Sequence, residues 1–367
     1  MRNEEDQFNG LPVIATAALL IAVVAVAVAV VAIARSGDDG SMSGSMSMGS
    51  MGGGSMEHMA PLSIAGIQDP PSSRGGVPLK PKLENGVNVY RLDARPVWWT
   101  IFGGQRVSAY AYNGIVPGPQ IRVKNGQRVR IEFKNNLPVA TTVHWHGVGV
   151  PNSQDGVPGV TQKNIEPGAS YTYEFTAKPA GDPNGSGTFM YHTHTDEDRQ
   201  MPMGLYGTLI IDPPGGAKKY AVDKTLVFSE WASDPTSGRS RGVMQMEGMF
   251  PNFFTINGKS YPDTDPVNVA AGQRVLFRLV NAGQFAHPIH LHGTSFRVVA
   301  RDGHAVPSGA VERRDTITLE SGERADIEFT EPPGKWILHC HIGHHLTNDG
   351  EGPGGLLMLV NSKATRT

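Results

Sequence analysis

After residue 80 the chain is built of short runs in which polar and apolar positions alternate, each closed by Gly, Pro or Asn. In GQRVRIEFKNN (126–136), Val129, Ile131 and Phe133 alternate with Arg128, Arg130, Glu132 and Lys134; GQRVLFRLVNAG (272–283) is a second run between the same kinds of turn residue. A period of two places alternate side chains on opposite faces of a strand. Many such runs between turn signals predict an all-β fold of sandwich or barrel type. The punctuation is dense, with 45 glycines and 27 prolines, and long amphipathic helical patterns are missing from the body of the chain.

The N-terminus follows another pattern. LPVIATAALLIAVVAVAVAVVAIA, from Leu11 to Ala34, carries no charge. As a helix it would be about 36 Å long, enough to cross a hydrocarbon core of about 30 Å. A cleaved signal usually has a shorter apolar stretch behind a basic start, whereas MRNEEDQFNG is acidic, so a retained membrane anchor is expected; cleavage would instead give a secreted protein. Arg2 and Arg35 balance across the span, so charge does not set its orientation.

Behind the span, SGDDGSMSGSMSMGSMGGGSMEHMAPLS reads as a flexible tether. It holds six methionines (42, 46, 48, 51, 56 and 59) and His58, with no core for them to fill. Thioethers are soft donors that suit Cu(I), so the segment is either a weak metal-capture tether or a plain spacer.

Two stretches of the remainder share a plan, one from about Val87 to Pro213 and one from about Ala221 to Ser362. YNGIVPGPQIRVKNGQRVRIEFKNN leads to TTVHWHG in the first, and INGKSYPDTDPVNVAAGQRVLFRLVNAG leads to HPIHLHG in the second. Each then closes on another histidine cluster, FMYHTHT or WILHCHIGHH. An internal duplication of a Greek-key β-sandwich fits this. The expected division is a tail (1–10), the apolar span (11–34), a linker (35–80), a first domain (81–215) and a second (216–367).

Formal net charge is −2 with no basic block, so nothing points to nucleic acid. The one cysteine, Cys340, excludes an internal disulfide and leaves its thiol free for chemistry.

That chemistry is set by four His-x-His pairs: His144/His146, His192/His194, His290/His292 and His339/His341. Composition alone would give about 0.5 such pair, so four at matching places in two repeats form a pattern. In a strand, residues i and i+2 share a face, and each pair becomes a two-pronged imidazole clamp. By the same parity Cys340 points away from His339 and His341, and His287, three residues before His290, tends away from His290 and His292. Cys340 and His287 can therefore collect on one side, joined by His345 from the loop beyond. Two imidazoles and a thiolate are the ligand set of a blue-copper electron-transfer site, one residue step from the histidine cluster. His344 is read as an outer or exposed neighbour.

HWHG, YHTHT, HPIHLHG and HCHIGHH occur here in an order that resembles the multicopper oxidases, specifically the two-domain bacterial laccase-like kind, over about Val87 to Val360. The resemblance implies two tandem cupredoxin-like Greek-key domains and four coppers per functional unit. It matches His287, Cys340 and His345 to the type 1 copper, His144 and His290 to the type 2 copper, and His146, His192, His194, His292, His339 and His341 to the binuclear type 3 pair. It implies one-electron oxidation of a phenolic or aromatic-amine reductant coupled to four-electron reduction of O2 to water. A carboxylate near the cluster is the family's usual proton source; Asp155 matches that position, with Asp196, Glu197 and Asp198 as rivals. Where many members have an axial Met or Leu five residues past the last ligand, this chain has Gly350; Leu356 is the best axial candidate, and Met358 faces the same way by alternation. The resemblance also implies a head-to-tail homotrimer with each cluster shared between neighbouring subunits, although the sequence leaves an intramolecular cluster open. With the apolar span, copper chemistry suggests an outward-facing, membrane-tethered enzyme.

Three other readings stand beside this one. The Met-rich tether and Met244, Met246 and Met249 of MQMEGM suggest a metallo-oxidase acting on Cu(I) or other metal ions, though that loop could simply pack on the core. A copper nitrite reductase would carry its type 1 cysteine in the first domain and lack the full set of eight cluster histidines, whereas here the cysteine lies in the second domain and all eight are present. A copper store or electron carrier would not need two converging clusters.

Overall fold

The computed structural model describes residues 61–241 and 250–364. The apolar span 11–34, the Met-rich tether with His58, and Met244, Met246 and Met249 all lie outside the described residues. Among the described residues, no helix is long and apolar enough to cross a membrane.

The first half runs β1 (Pro78–Leu79), β2 (Lys82–Glu84), β3 (Val87–Phe102), β4 (Gln105–Tyr112), β5 (Gly118–Lys124), β6 (Arg128–Asn135), β7 (His144–His146), β8 (Ser170–Thr176), β9 (Gly187–His192) and β10 (Tyr206–Asp212). One sheet has the order β1-β5-β10-β9-β7, and the other β2-β3-β6-β8 with β4 on β3. Their inner faces meet over a core containing Phe133, Trp145, Tyr173 and Tyr191. In β6 the alternation holds as read: Val129, Ile131 and Phe133 are buried between more exposed polar neighbours.

The second half runs β11 (Val222–Ser233), β12 (Ser240–Arg241), β13 (Phe253–Ile256), β14 (Val267–Ala270), β15 (Arg274–Asn281), β16 (His287–Leu291), β17 (Phe296–Arg301), β18 (His304–Ala305), β19 (Arg313–Arg314), β20 (Thr316–Leu319), β21 (Arg324–Thr330), β22 (Gly334–Cys340) and β23 (Leu357–Lys363). One sheet follows β12-β11-β15-β21-β17-β18, with β13 on β11 and β19 on β17; the other follows β14-β23-β22-β16-β20. The core between them holds Phe277, Ile289, Leu338, Cys340, Leu356 and Met358. The all-β expectation is met among the described residues, where helix is confined to Glu197–Gln200 and a few 3-10 turns.

A third apolar cluster joins the halves, packing Val97, Trp99, Val107 and Ala109 on Val227, Trp231, Phe253 and Val280. Trp99 Nε1 donates to the Gly258 carbonyl at 2.6 Å. This junction explains why β15 is buried along nearly its whole length, where an ordinary sandwich strand would expose alternate residues.

Residues 61–80 fall within the expected Gly/Ser/Met-rich linker (35–80), yet they lie against the first half. Leu62 enters its core, Gln68 bridges Val97 and β1 pairs with β5. A few apolar anchors and ladder hydrogen bonds are enough to dock such a segment, and composition does not report them.

Candidate metal centres

Each half builds its histidine clamps from one cross-strand pairing. β7 lies antiparallel to β9 with His144 opposite His192, and β16 lies antiparallel to β22 with His290 opposite His339. Because opposed residues share a face, pairing two His-x-His runs gathers four rings. In the first half His144 lies 5.8 Å from His146, 5.3 Å from His192 and 5.5 Å from His194 between ring centroids. In the second, His290 lies 4.8 Å from His292, 5.5 Å from His339 and 5.8 Å from His341.

Ring orientation is fixed from behind. His144 Nδ1 donates to the Asp155 carbonyl at 2.7 Å, His192 Nδ1 to Thr193 at 2.7 Å, His290 Nδ1 to Asp315 at 2.9 Å and His339 Nδ1 to Cys340 at 2.8 Å. A carbonyl can only accept, so each bond fixes the tautomer and leaves Nε2 as a lone-pair donor, as in metal-ligating imidazoles. The free nitrogens converge: His292 Nε2 is 3.0 Å from His339 Nε2, and His146 Nδ1 is 3.3 Å from His192 Nε2.

Desolvation favours the neutral form of four of these rings. Burial, aided by the charge of Arg324, lowers His146 to about 4. Burial and the neighbouring His144 lower His192 to about 3. His292 and His339 are lowered too, chiefly by desolvation. Neutral imidazole is the form that binds a metal.

Carboxylates stand behind the first cluster. Asp155 Oδ1 is 3.5 Å from His144 Nδ1. Glu197 places one oxygen 3.6 Å from His192 Nδ1 and the other 3.7 Å from His194 Nδ1. Asp196 and Asp198 are exposed.

The strand parity read from the sequence is observed. Cys340 is buried while His339 is partly exposed and His341 exposed; His287 is buried while His290 and His292 are not. Cys340 Sγ lies 3.4 Å from His345 Nδ1 and 3.8 Å from His287 Nδ1, and the two Nδ1 atoms are 3.1 Å apart. His345 arrives on the short turn Gly343–Leu346 and stacks on Phe254 at 4.3 Å. Burial pushes the Cys340 thiol up to about 12 and, with His287 nearby, lowers His345 to about 3. A thiol so placed ionises only when a metal takes the proton's place. His344 is exposed, with its ring edge-on to Phe254.

Leu356 and Met358 are both fully buried in the same core as Cys340. Leu356 accepts from Cys340 N and donates to the His345 carbonyl, whereas Met358 stands opposite Leu338. The ladder thus sets Leu356 beside Cys340 and Met358 one pleat further on.

The metal-competent groupings keep the halves apart among the described residues: His144, His146 and His192 form one, and His290, His292 and His339 another. The first lies near Gly322 and Arg324 of the second half. The second occupies the outer face of β16 and β22, with His292 and His341 exposed.

Sequence reasoning missed Glu230. It is 1 % exposed, and its Oε1 lies 2.7 Å from His287 Nε2. The available signal was a single carboxylate inside the apolar run TLVFSEW.

Residues 93–216 and 235–350 each match a sequence profile described as multicopper oxidase. The structure of a blue copper oxidase from Nitrosomonas europaea resembles this one with a TM-score of 0.68 and 31% identity, over 74% of this chain and 85% of that one. A Campylobacter jejuni multicopper oxidase, described as a metallo-oxidase, gives a TM-score of 0.64 and 25% identity over 85% of this chain and 65% of that one. Laccase-2 of Cryptococcus neoformans var. grubii is 29% identical over 255 residues, 62% of this chain; the chain spans 41% of that laccase's length.

Proposed function

Because this chain belongs to the multicopper oxidase family, whose profiles match its residues 93–216 and 235–350, we propose that it is a laccase-like oxidase of phenolic or aromatic-amine reductants with O2 as acceptor. One observation carries the reading: Cys340, His287 and His345 converge in a buried site while His339 and His341, on either side of Cys340, belong to an open imidazole cluster.

The donors fit copper. Two imidazole nitrogens and one sulfur form the type 1 set, and the clustered neutral imidazoles suit the type 2 and type 3 ions. Copper, when bound, supplies one-electron chemistry beside the sulfur and dioxygen reduction among the imidazoles. His287, Cys340 and His345 would hold the type 1 ion, with Leu356 packed beside the sulfur residue. His144 and His290 would hold the type 2 ion; His146, His192, His194, His292, His339 and His341 would hold the type 3 pair.

The chain's own residues do the rest. Phe254 covers the His345 ring and keeps water from the sulfur site. Cys340 connects the centres through its own backbone. Asp155 and Glu197, 3.5 to 3.7 Å from ring nitrogens, are placed to hold protons for oxygen reduction, with Asp155 the preferred donor.

Each half contributes four imidazoles, and the second cluster opens outward. A head-to-tail homotrimer that pairs the first cluster of one subunit with the second of its neighbour would complete every site, as a heterologous interface closing into a ring allows. Membrane tethering through residues 11–34, with the oxidase facing outward, is part of the same proposal.

A second reading has the same centres oxidise Cu(I) or another metal ion. The Met-rich tether favours it, as does the similarity to a protein described as a metallo-oxidase. Copper content, absorption and EPR spectra, and O2 uptake with a phenol and with Cu(I), before and after deletion of residues 41–59, test both. About four coppers per chain and a blue thiolate band are expected; a colourless holoprotein overturns the oxidase reading, and cuprous oxidation untouched by the deletion removes the tether's role.

A further inference from the structure

We infer that Glu230 is a positioning residue for the type 1 centre, setting the electron density of the His287 ring from the side away from the sulfur. The inference rests on the copper reading of His287, Cys340 and His345. Glu230 sits on β11, opposite Phe254 of β13, and its carboxylate is aimed inward at 1 % exposure. Three N–H groups meet it. Gln284 N donates to Oε2 at 3.0 Å and Phe285 N to Oε1 at 3.2 Å, while His287 Nε2 approaches Oε1 to 2.7 Å. That last approach lies off hydrogen-bond alignment, and no other polar atom among the described residues partners this nitrogen. It is a charge contact first.

The backbone makes room for it. A Cβ on Gly283 would fall 2.1 Å from Glu230 Oε2 and 2.3 Å from Oε1, so only glycine leaves the carboxylate its seat. Residues 283–286 form the turn that delivers His287 onto β16. One carboxylate therefore pins the turn with two backbone bonds and polarises the ring that the turn presents.

A carboxylate facing the outer nitrogen of a ligating imidazole raises the basicity of the inner one. His287 Nδ1 becomes a better donor, which favours the more highly charged oxidised metal. The buried carboxylate also adds negative charge close to the centre, in the same sense. Glu230 thus holds the reduction potential of the site below the value His287, Cys340 and His345 would set alone.

The test is a spectroelectrochemical titration of the copper-loaded full-length protein, wild type beside Glu230→Gln and Gly283→Ala. The neutral isostere removes the charge, and the new methyl displaces the carboxylate without removing it. Both variants should keep the blue band and move the potential upward. An unchanged potential in a folded blue variant overturns the inference. If neither variant folds, the wild-type Cu(I) protein decides by NMR: a slowly exchanging, downfield His287 Nε2 proton supports the contact, and a freely exchanging one refutes it. A wild-type protein with no blue band would instead fail the copper reading itself, a distinct result.

Discussion

The His339 ring is joined to Cys340 twice, through the chain and by a 2.8 Å hydrogen bond from His339 Nδ1 to the carbonyl of Cys340. The sulfur points into the sandwich core and the two flanking imidazoles point out of it, so one residue touches both candidate centres. The hydrogen bond fixes the His339 tautomer and shortens the route between sulfur and ring. Cys340→Ser should therefore uncouple the centres without unfolding the sandwich. The expected result is loss of the blue band and of O2 uptake, with the imidazole-bound copper retained. Metal analysis and EPR on the purified variant check it, and a variant that kept full turnover would refute the wiring.

Asp155 serves His144 with two different atoms. Its carbonyl orients the ring at 2.7 Å and its carboxylate waits 3.5 Å from the same nitrogen. Asp155→Asn keeps the first and removes the second, so copper content should hold while turnover falls by about 10- to 100-fold. Glu197→Gln, made in parallel, asks whether the second carboxylate shares the work. Steady-state O2 uptake separates them; full activity in Asp155→Asn would pass the proton role to Glu197.

Arg278 ties the halves together from a buried position. It reaches Asp326 at 2.9 Å and Asp223 at 2.7 Å, while Thr188 of the first half donates to Asp326 at 2.6 Å and Arg122 of the first half reaches Asp223 at 3.0 Å. Removing one member of such a network leaves a buried charge uncompensated. Arg278→Met should cost about 3–5 kcal/mol, read as a lowered denaturation midpoint. A change within a few tenths of a kcal/mol would show that the network is not what holds the junction.

Glu331 gives the fold a pH dependence remote from the metal sites. Its side chain is 1 % exposed, with both oxygens unpartnered among the described residues, and burial raises it from 4.5 to about 7. Below the unfolded value both states are protonated and the group costs nothing. Between the two values only the unfolded chain ionises, so stability falls as pH rises, by about 3 kcal/mol once above the folded value. Glu331→Gln should flatten that fall. Midpoints of chemical unfolding from pH 4 to pH 8 report it, and parallel curves for the two proteins would dismiss it.

Strand alternation and the gathering of the histidine pairs were legible in the sequence because both rest on parity. His144 and His146, or His339 and His341, are two residues apart, and a period of two carries them to one face whatever the surrounding sheet does. What was hidden rests on long-range placement. Glu230 meets His287 from 57 positions away through a turn whose spacing encodes nothing, and Leu62 docks from a segment that composition assigned to the linker. Burial of β15 was equally invisible, since its second face is covered by the other half of the molecule and not by its own sandwich.

The axial question can be decided by the same ladder. Cys340 N bonds to the Leu356 carbonyl at 3.0 Å, and Met358 pairs with Leu338. Adjacent positions on one strand face are about 6.5 Å apart, so only one of these side chains can flank the sulfur. If it is Leu356, the type 1 ion has no axial donor and an electron-poor, strongly oxidising site follows. Leu356→Met would then introduce a weak thioether ligand, lowering the reduction potential and changing the EPR signature. Met358→Leu, a swap of similar volume in a dry core, should leave both untouched and cost less than about 1.5 kcal/mol. The reverse outcome, a potential that responds at Met358 and not at Leu356, would place the thioether already present at the metal and overturn the register argument.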